Sequence, residues 1–162
     1  MFFSQLFVYF FRECAECLLD LQAVPGRYFF ELLAKFTDDE QEKEKFIEFT
    51  TIEGQQELFN YCNRPRRNSL EVLSDFSLHT VPNIPFEYLF DLFPVMKPRS
   101  FSIANSLSFV PDRIQLLVAV VKYKAKLMEE PRLGLCSNFL ANLNIGDMVN
   151  IWVKKGTISF FK

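Results

Sequence analysis

Metal chemistry is the first thing this sequence leaves out. It has one histidine, His79, and four cysteines, Cys14, Cys17, Cys62 and Cys136. Only Cys14 and Cys17 make a C-x-x-C pair, whereas a zinc site wants a second pair or nearby histidines. The four therefore read as thiols of a reducing compartment. An excess of positive charge is lacking too: 18 Lys and Arg face 20 Asp and Glu, for a net charge of −2. That balance excludes a broad basic field for nucleic acid, so any anion must be met by local arginines. Long apolar runs are also missing. Met1 to Phe11 is apolar but for Ser4 and Gln5, and then meets Arg12 and Glu13. This falls short of the roughly 20 residues that span a bilayer. It also lacks the basic n-region and small-residue cleavage site of a signal peptide. No membrane association is expected, and there is no internal repeat or low-complexity tract.

What the sequence does have is phenylalanine. Twenty of 162 residues are Phe, in a chain that is 49% hydrophobic and 23% charged. The composition is that of a globular domain. So much aromatic surface implies either a large aromatic core or faces that something else must cover.

The first half has helical periodicity. Phe2, Phe3, Leu6, Phe7, Phe10 and Phe11 recur at helical spacing, and Pro25-Gly26 breaks the pattern. Tyr28 to Phe36 reads as a helix with Phe29, Leu32, Leu33 and Phe36 on one face. Thr37-Asp38-Asp39-Glu40 reads as a capping box opening the next helix, with Phe46, Ile47 and Phe49 apolar. Gly54 marks a weak point before a helix holding Leu58, Phe59 and Tyr61. Pro65 is read as starting another, with Leu70, Val72, Leu73 and Phe76 apolar. For each stripe, plain core packing is the favoured reading.

A connector containing Pro82, Pro85, Pro94 and Pro98 follows, with a short helix over Phe86 to Phe93. Beyond it the pattern becomes that of strands: Ser100 to Ala104, Ile114 to Tyr123, Met148 to Lys154 after an Ile145-Gly146-Asp147 turn, and Ile158 to Phe161 after Lys155-Gly156. Gly134 to Leu143 reads as a helix between them. The expected class is α+β.

Two small constellations carry possible chemistry. The first is Arg99-Ser100-Phe101-Ser102. A guanidinium holds a phosphate bidentately, an aromatic covers a flat ring, and a hydroxyl pairs with a ring heteroatom. On spacing alone, an exposed arginine beside a core phenylalanine explains the quartet as well or better. The second is Gly134-Leu135-Cys136-Ser137, opening a helix. Glycine permits close backbone approach, and first-turn amides aim at anions. An ordinary helix start with a serine cap is the plainer alternative. Arg64, Arg66 and Arg67 form a basic cluster read as lying near a helix start, where they oppose the dipole unless an anion joins them.

Taken in order, these pieces resemble the FAD-binding part of the cytochrome P450 reductase superfamily. The family has an arginine-x-tyrosine-serine strand, an apolar strand ending in tyrosine, and a glycine-x-x-threonine/serine helix start. The matching stretches are Arg99 to Ser102, Leu117 to Tyr123, and Gly134 to Ser137. Arg27 to Leu33, Glu57 to Arg67 and Gly134 to Leu140 look like one branch of it, the NADPH-dependent diflavin reductases serving cytosolic iron–sulfur cluster assembly. That branch also has phenylalanine where most relatives have tyrosine, as at Phe101. The resemblance covers roughly Leu18 to Lys162.

The resemblance implies FAD as cofactor, with FMN and NADPH bound elsewhere in the family's full-length members. It implies a divergent aromatic segment over 1–17, a helical connecting subdomain over 18–94, and part of an antiparallel β-barrel of the ferredoxin reductase type over 95–162. Arg66 and Arg99 would contact FAD phosphates, Phe101 would pack along the flavin, and Ser102 would sit near the reactive ring nitrogen, beside Ser100. Gly134, Leu135, Cys136 and Ser137 would cradle the pyrophosphate. Leu117, Val118 and Ala119 would line the site, with Tyr123 at its edge. The implied electron acceptor is an anamorsin-like iron–sulfur protein in the cytoplasm.

The departures are specific. Phe101 has no hydroxyl, so one hydrogen bond to the cofactor is lost, and Cys136 stands where relatives often have alanine. Met1 to about Cys17 does not look like the family. The FMN domain, the first barrel strands and the nicotinamide domain are not found. These absences predict a segment of a longer reductase, from a truncated gene model or splice form, not competent alone. A non-catalytic helical interaction fragment that binds no flavin is the alternative.

Overall fold

The computed structural model describes residues 2–124, 128 and 131–156, with the side chains of 2–7 left aside. It divides into two compact units, Met1–Lys97 and Pro98–Lys162.

The first unit is helical. Its elements are α1 (Phe2–Cys17), α2 (Arg27–Phe36), α3 (Glu40–Thr50), α4 (Gln55–Leu58), α5 (Ser69–Asp75) and α6 (Leu89–Leu92). A π-turn over Phe59–Asn63 extends α4, and short 3₁₀ turns cover Val81–Asn83 and Phe86–Tyr88. The phenylalanines explain the packing. Phe30 is fully buried, with its ring centroid 4.9 Å from Phe49 and 6.0 Å from Phe46. Phe46 meets Phe76 edge-on at 4.6 Å, and Tyr61 stacks on Phe49 at 5.2 Å. Burying each such ring contributes about 1.5–3 kcal/mol. Leu32, Leu33, Leu58, Cys62 and Val72 complete this core. The stripe on α2 falls where its spacing placed it, whereas Ile47 on α3 and Leu70 on α5 face solvent.

Two helix starts differ from the sequence reading. The cap of α3 is Asp39, whose carboxylate accepts from the Glu42 amide at 2.8 Å. Thr37, read as the cap, instead donates its hydroxyl to the Glu42 carboxylate at 3.0 Å, where buried Thr80 also donates at 2.6 Å. Glu42 thus ties the connector after α5 to the start of α3. Pro65 does not start a helix: α5 begins after Asn68, in a full capping box with Glu71. The segment just after α1 meets the end of this unit at an antiparallel bridge between Leu19 and Val95, where Met96 N–H donates to the Leu18 carbonyl at 2.7 Å.

The second unit is sparser. Among the described residues its one ladder pairs β1 (Lys122–Tyr123) with β2 (Arg132–Leu133), antiparallel. Helix α7 (Leu135–Ala141) follows directly. The strands expected over Ser100 to Ala104 and Ile114 to Tyr123 shrink to this ladder and a single bridge between Ile103 and Leu116. Met148 to Lys154 has no paired strand. Their composition suits strands, but a strand exists only where a neighbour accepts its hydrogen bonds. The turn at Ile145-Gly146-Asp147 is present, with Gly146 at φ +103°. Ile158 to Phe161 lies outside the described residues. The barrel implied by the resemblance is therefore not seen as such; the observed fold is helix-rich with a two-stranded antiparallel sheet.

Candidate functional site

Both constellations of the second unit are tied to one stretch, Ile114 to Tyr123. Arg99, Ser100, Phe101 and Ser102 are exposed and belong to no ladder. Immediately after them Ile103 bridges Leu116, and Ala104 N–H donates to the Gln115 carbonyl at 2.8 Å. At the other end of the stretch, Gly134 N–H donates to the Val121 carbonyl at 2.8 Å. Five residue steps separate Leu116 from Val121, so these two anchor points lie at most about 17 Å apart.

The Gly134 turn has a local physical cause. A Cβ there would fall 2.7 Å from Val121 Cβ and 2.8 Å from Ser137 Oγ. Glycine is needed because Val121, just before β1, and the Ser137 side chain leave no room for a Cβ. The Ser137 hydroxyl is buried, accepting from Val121 N–H at 3.0 Å and donating to the Gly134 carbonyl at 3.2 Å. It is thus committed within the protein, and what Ser137 offers a phosphate is its amide. Asn138, which the spacing did not single out, donates to the Val121 and Gly134 carbonyls at 2.9 and 2.8 Å. An asparagine one residue past a serine at a helix start was the available signal.

No side chain caps α7, because its N-cap is Gly134. First-turn amides of a helix have no intrahelical acceptor, so those of Leu135 and Cys136 are suited to an outside anion. Uncapped first-turn amides and an exposed Arg99 both belong to the second unit, and these are the donor types that a pyrophosphate takes.

The basic cluster of the first unit sits differently from its reading. Arg64 caps the C-terminal end of the π-turn, where a helix dipole favours cations rather than opposing them. No anion is required to explain it. Arg67 pairs with Asp75, and its guanidinium lies 4.5 Å over the Tyr61 ring. Tyr61 donates its hydroxyl to the same carboxylate at 2.7 Å. Burial, reinforced by Asp75, raises the Tyr61 pKa; burial pushes the adjacent Cys62 thiol up to about 12. Arg66 is exposed and takes φ +56°, a left-handed conformation rare outside glycine. Cys14 and Cys17 are free thiols on α1. No cluster of His, Cys, Asp or Glu able to hold a metal occurs among the described residues. Among them, too, no helix is long and apolar enough to cross a membrane.

Comparison with known proteins assigns the chain. Its residues 9–139 match the family described as FAD binding domain, a span that includes Arg99 to Ser102 and Gly134 to Ser137. The NADPH-dependent diflavin oxidoreductase 1 of Danio rerio is 56% identical over 152 residues, covering 92% of this chain and 25% of that protein. The protein of the same name in Mus musculus is 52% identical over 148 residues, covering 89% and 24%. That of Debaryomyces hansenii is 42% identical over 147 residues, covering 88% and 24%. The chain thus spans about a quarter of the length of these relatives. With a match running through most of its residues and both candidate constellations, this chain belongs to the FAD binding domain family.

Proposed function

We propose that this chain is the FAD-holding segment of an NADPH-dependent diflavin oxidoreductase. In the whole protein, electrons would pass from NADPH through FAD and FMN to an anamorsin-like iron–sulfur protein of cluster assembly in the cytoplasm. The observation that carries the reading is the family match across both candidate constellations, together with likeness to the diflavin oxidoreductases along nine-tenths of the chain. Bound FAD supplies the conversion of a two-electron hydride into single electrons.

The chain's residues bind and orient. Arg99 holds a phosphate bidentately. Phe101 lies along the flavin, and Ser100 and Ser102 offer hydroxyls toward it. The amides of Leu135, Cys136 and Ser137 meet the pyrophosphate, with Gly134 setting the turn. Leu117 to Ala119 line the flavin site on a partial antiparallel barrel.

Titration of the purified chain with FAD tests this. A bound-flavin visible spectrum should develop, and R99A should weaken FAD binding by roughly ten- to a hundredfold, as loss of a charge-assisted bidentate pair does. A chain that takes up no FAD at any concentration refutes the reading and favours a non-catalytic helical fragment.

A further inference from the structure

We propose that Asn105 is the positioning residue that holds the flavin-facing segment Arg99 to Ser102, an assignment that rests on the FAD reading above. Its side chain makes three hydrogen bonds to backbone. Oδ1 accepts from Gln115 N–H at 2.7 Å, and Nδ2 donates to the Arg113 carbonyl at 3.1 Å and the Val110 carbonyl at 3.3 Å. From 101 to 109 it is the only residue that is not exposed.

The other bonds inside this loop are local to its tip, where the Ser106 carbonyl accepts from Phe109 and Val110 N–H, both at 3.0 Å. Leu107, Phe109 and Ile114 all face solvent, so apolar packing does not close the loop from Asn105 to Gln115. The bridge from Ile103 to Leu116 and one backbone bond from Ala104 to Gln115 lie directly beside the Asn105 amide. Asn105 thus extends the pairing where the backbone ladder stops, its carboxamide standing in for one more peptide group. The Arg99 to Ser102 segment runs straight into this anchor. Release of the anchor lets Phe101 and Ser102 drift from the flavin ring, while the Gly134 to Ser137 turn, tied separately to Val121, keeps its place.

That separation makes the assignment testable with two ligands. FAD engages both the phosphate turn and the ring-facing segment; ADP carries the pyrophosphate but no flavin. In the whole chain, N105A should weaken FAD binding by about tenfold and leave ADP binding, measured by displacement, within about twofold. N105S keeps a short acceptor for Gln115 and should fall between wild type and N105A. An unchanged FAD-to-ADP affinity ratio in both variants, whether through no loss or through equal loss, overturns the role of Asn105 while leaving the FAD reading intact. A wild-type chain that binds no FAD overturns both.

Discussion

Cys62 shows how a residue's surroundings decide its chemistry. It is fully buried in the π-turn, and burial holds its thiol protonated to about pH 12. Thiolate is the reactive form, so Cys62 should resist alkylation in the folded protein while exposed Cys17 reacts. Mass spectrometry after brief iodoacetamide treatment checks this, and Cys62 should label only in denaturant. The pH dependence follows from the same shift. An unfolded thiol gives up its proton near about 8.5, whereas the folded one keeps it. The unfolded state therefore binds fewer protons above that point, and stability falls as pH rises from about 8.5 toward 12. Urea midpoints measured at pH 8 and 9.5 should drop in the wild type and drop less in C62A.

The caps of α3 and α5 separate what the sequence reveals about an element from what it hides. Asp39→Ala and Asn68→Ala should each cost about 1 kcal/mol, read from urea denaturation, since each side chain pairs an otherwise orphaned amide. The existence of α2 and α3 was legible, because Phe29, Leu32 and Leu33, or Phe46 and Phe49, recur at helical spacing, and that of α7 from its start at Gly134. The starts of α3 and α5 were not. Thr37 and Asp39 both suit a cap, and tertiary contact decided between them: buried Thr80 reaches Glu42, whose carboxylate then draws in Thr37. Likewise Pro65 suits a first turn, but Arg67 is pulled to Asp75 and the chain turns again before Asn68. Strand pairing was the least legible of all. Apolar enrichment over 114–123 or 148–154 says that the stretch wants cover, not which neighbour accepts its hydrogen bonds. At the candidate site, Gly134 and Ser137 were visible in the sequence. That the Ser137 hydroxyl turns inward to Val121 is known only from the fold.

At the scale of the molecule, order is unevenly shared. The largest fully buried side chains, Phe30, Phe46 and Phe49 among them, all belong to the first unit. In the second, Leu117 is 91% and Met148 97% exposed. Few buried apolar contacts mean low local stability. Hydrogen exchange should therefore find α2 and α3 amides protected and most of 98–121 and 143–156 exchanging early. Added FAD should slow exchange selectively around 99–105 and 134–138. Protection gained evenly along the whole chain would speak against the site described.

Trp152, the chain's single indole, is exposed, as are Ile145, Met148 and Ile151 nearby in the sequence. Its ring is mostly in contact with water. Light emitted from this protein on tryptophan excitation thus comes from one place alone, a stretch with several exposed apolar side chains. Whatever settles there, a further stretch of polypeptide or another molecule, will announce itself by a shift to shorter wavelength without any label being attached.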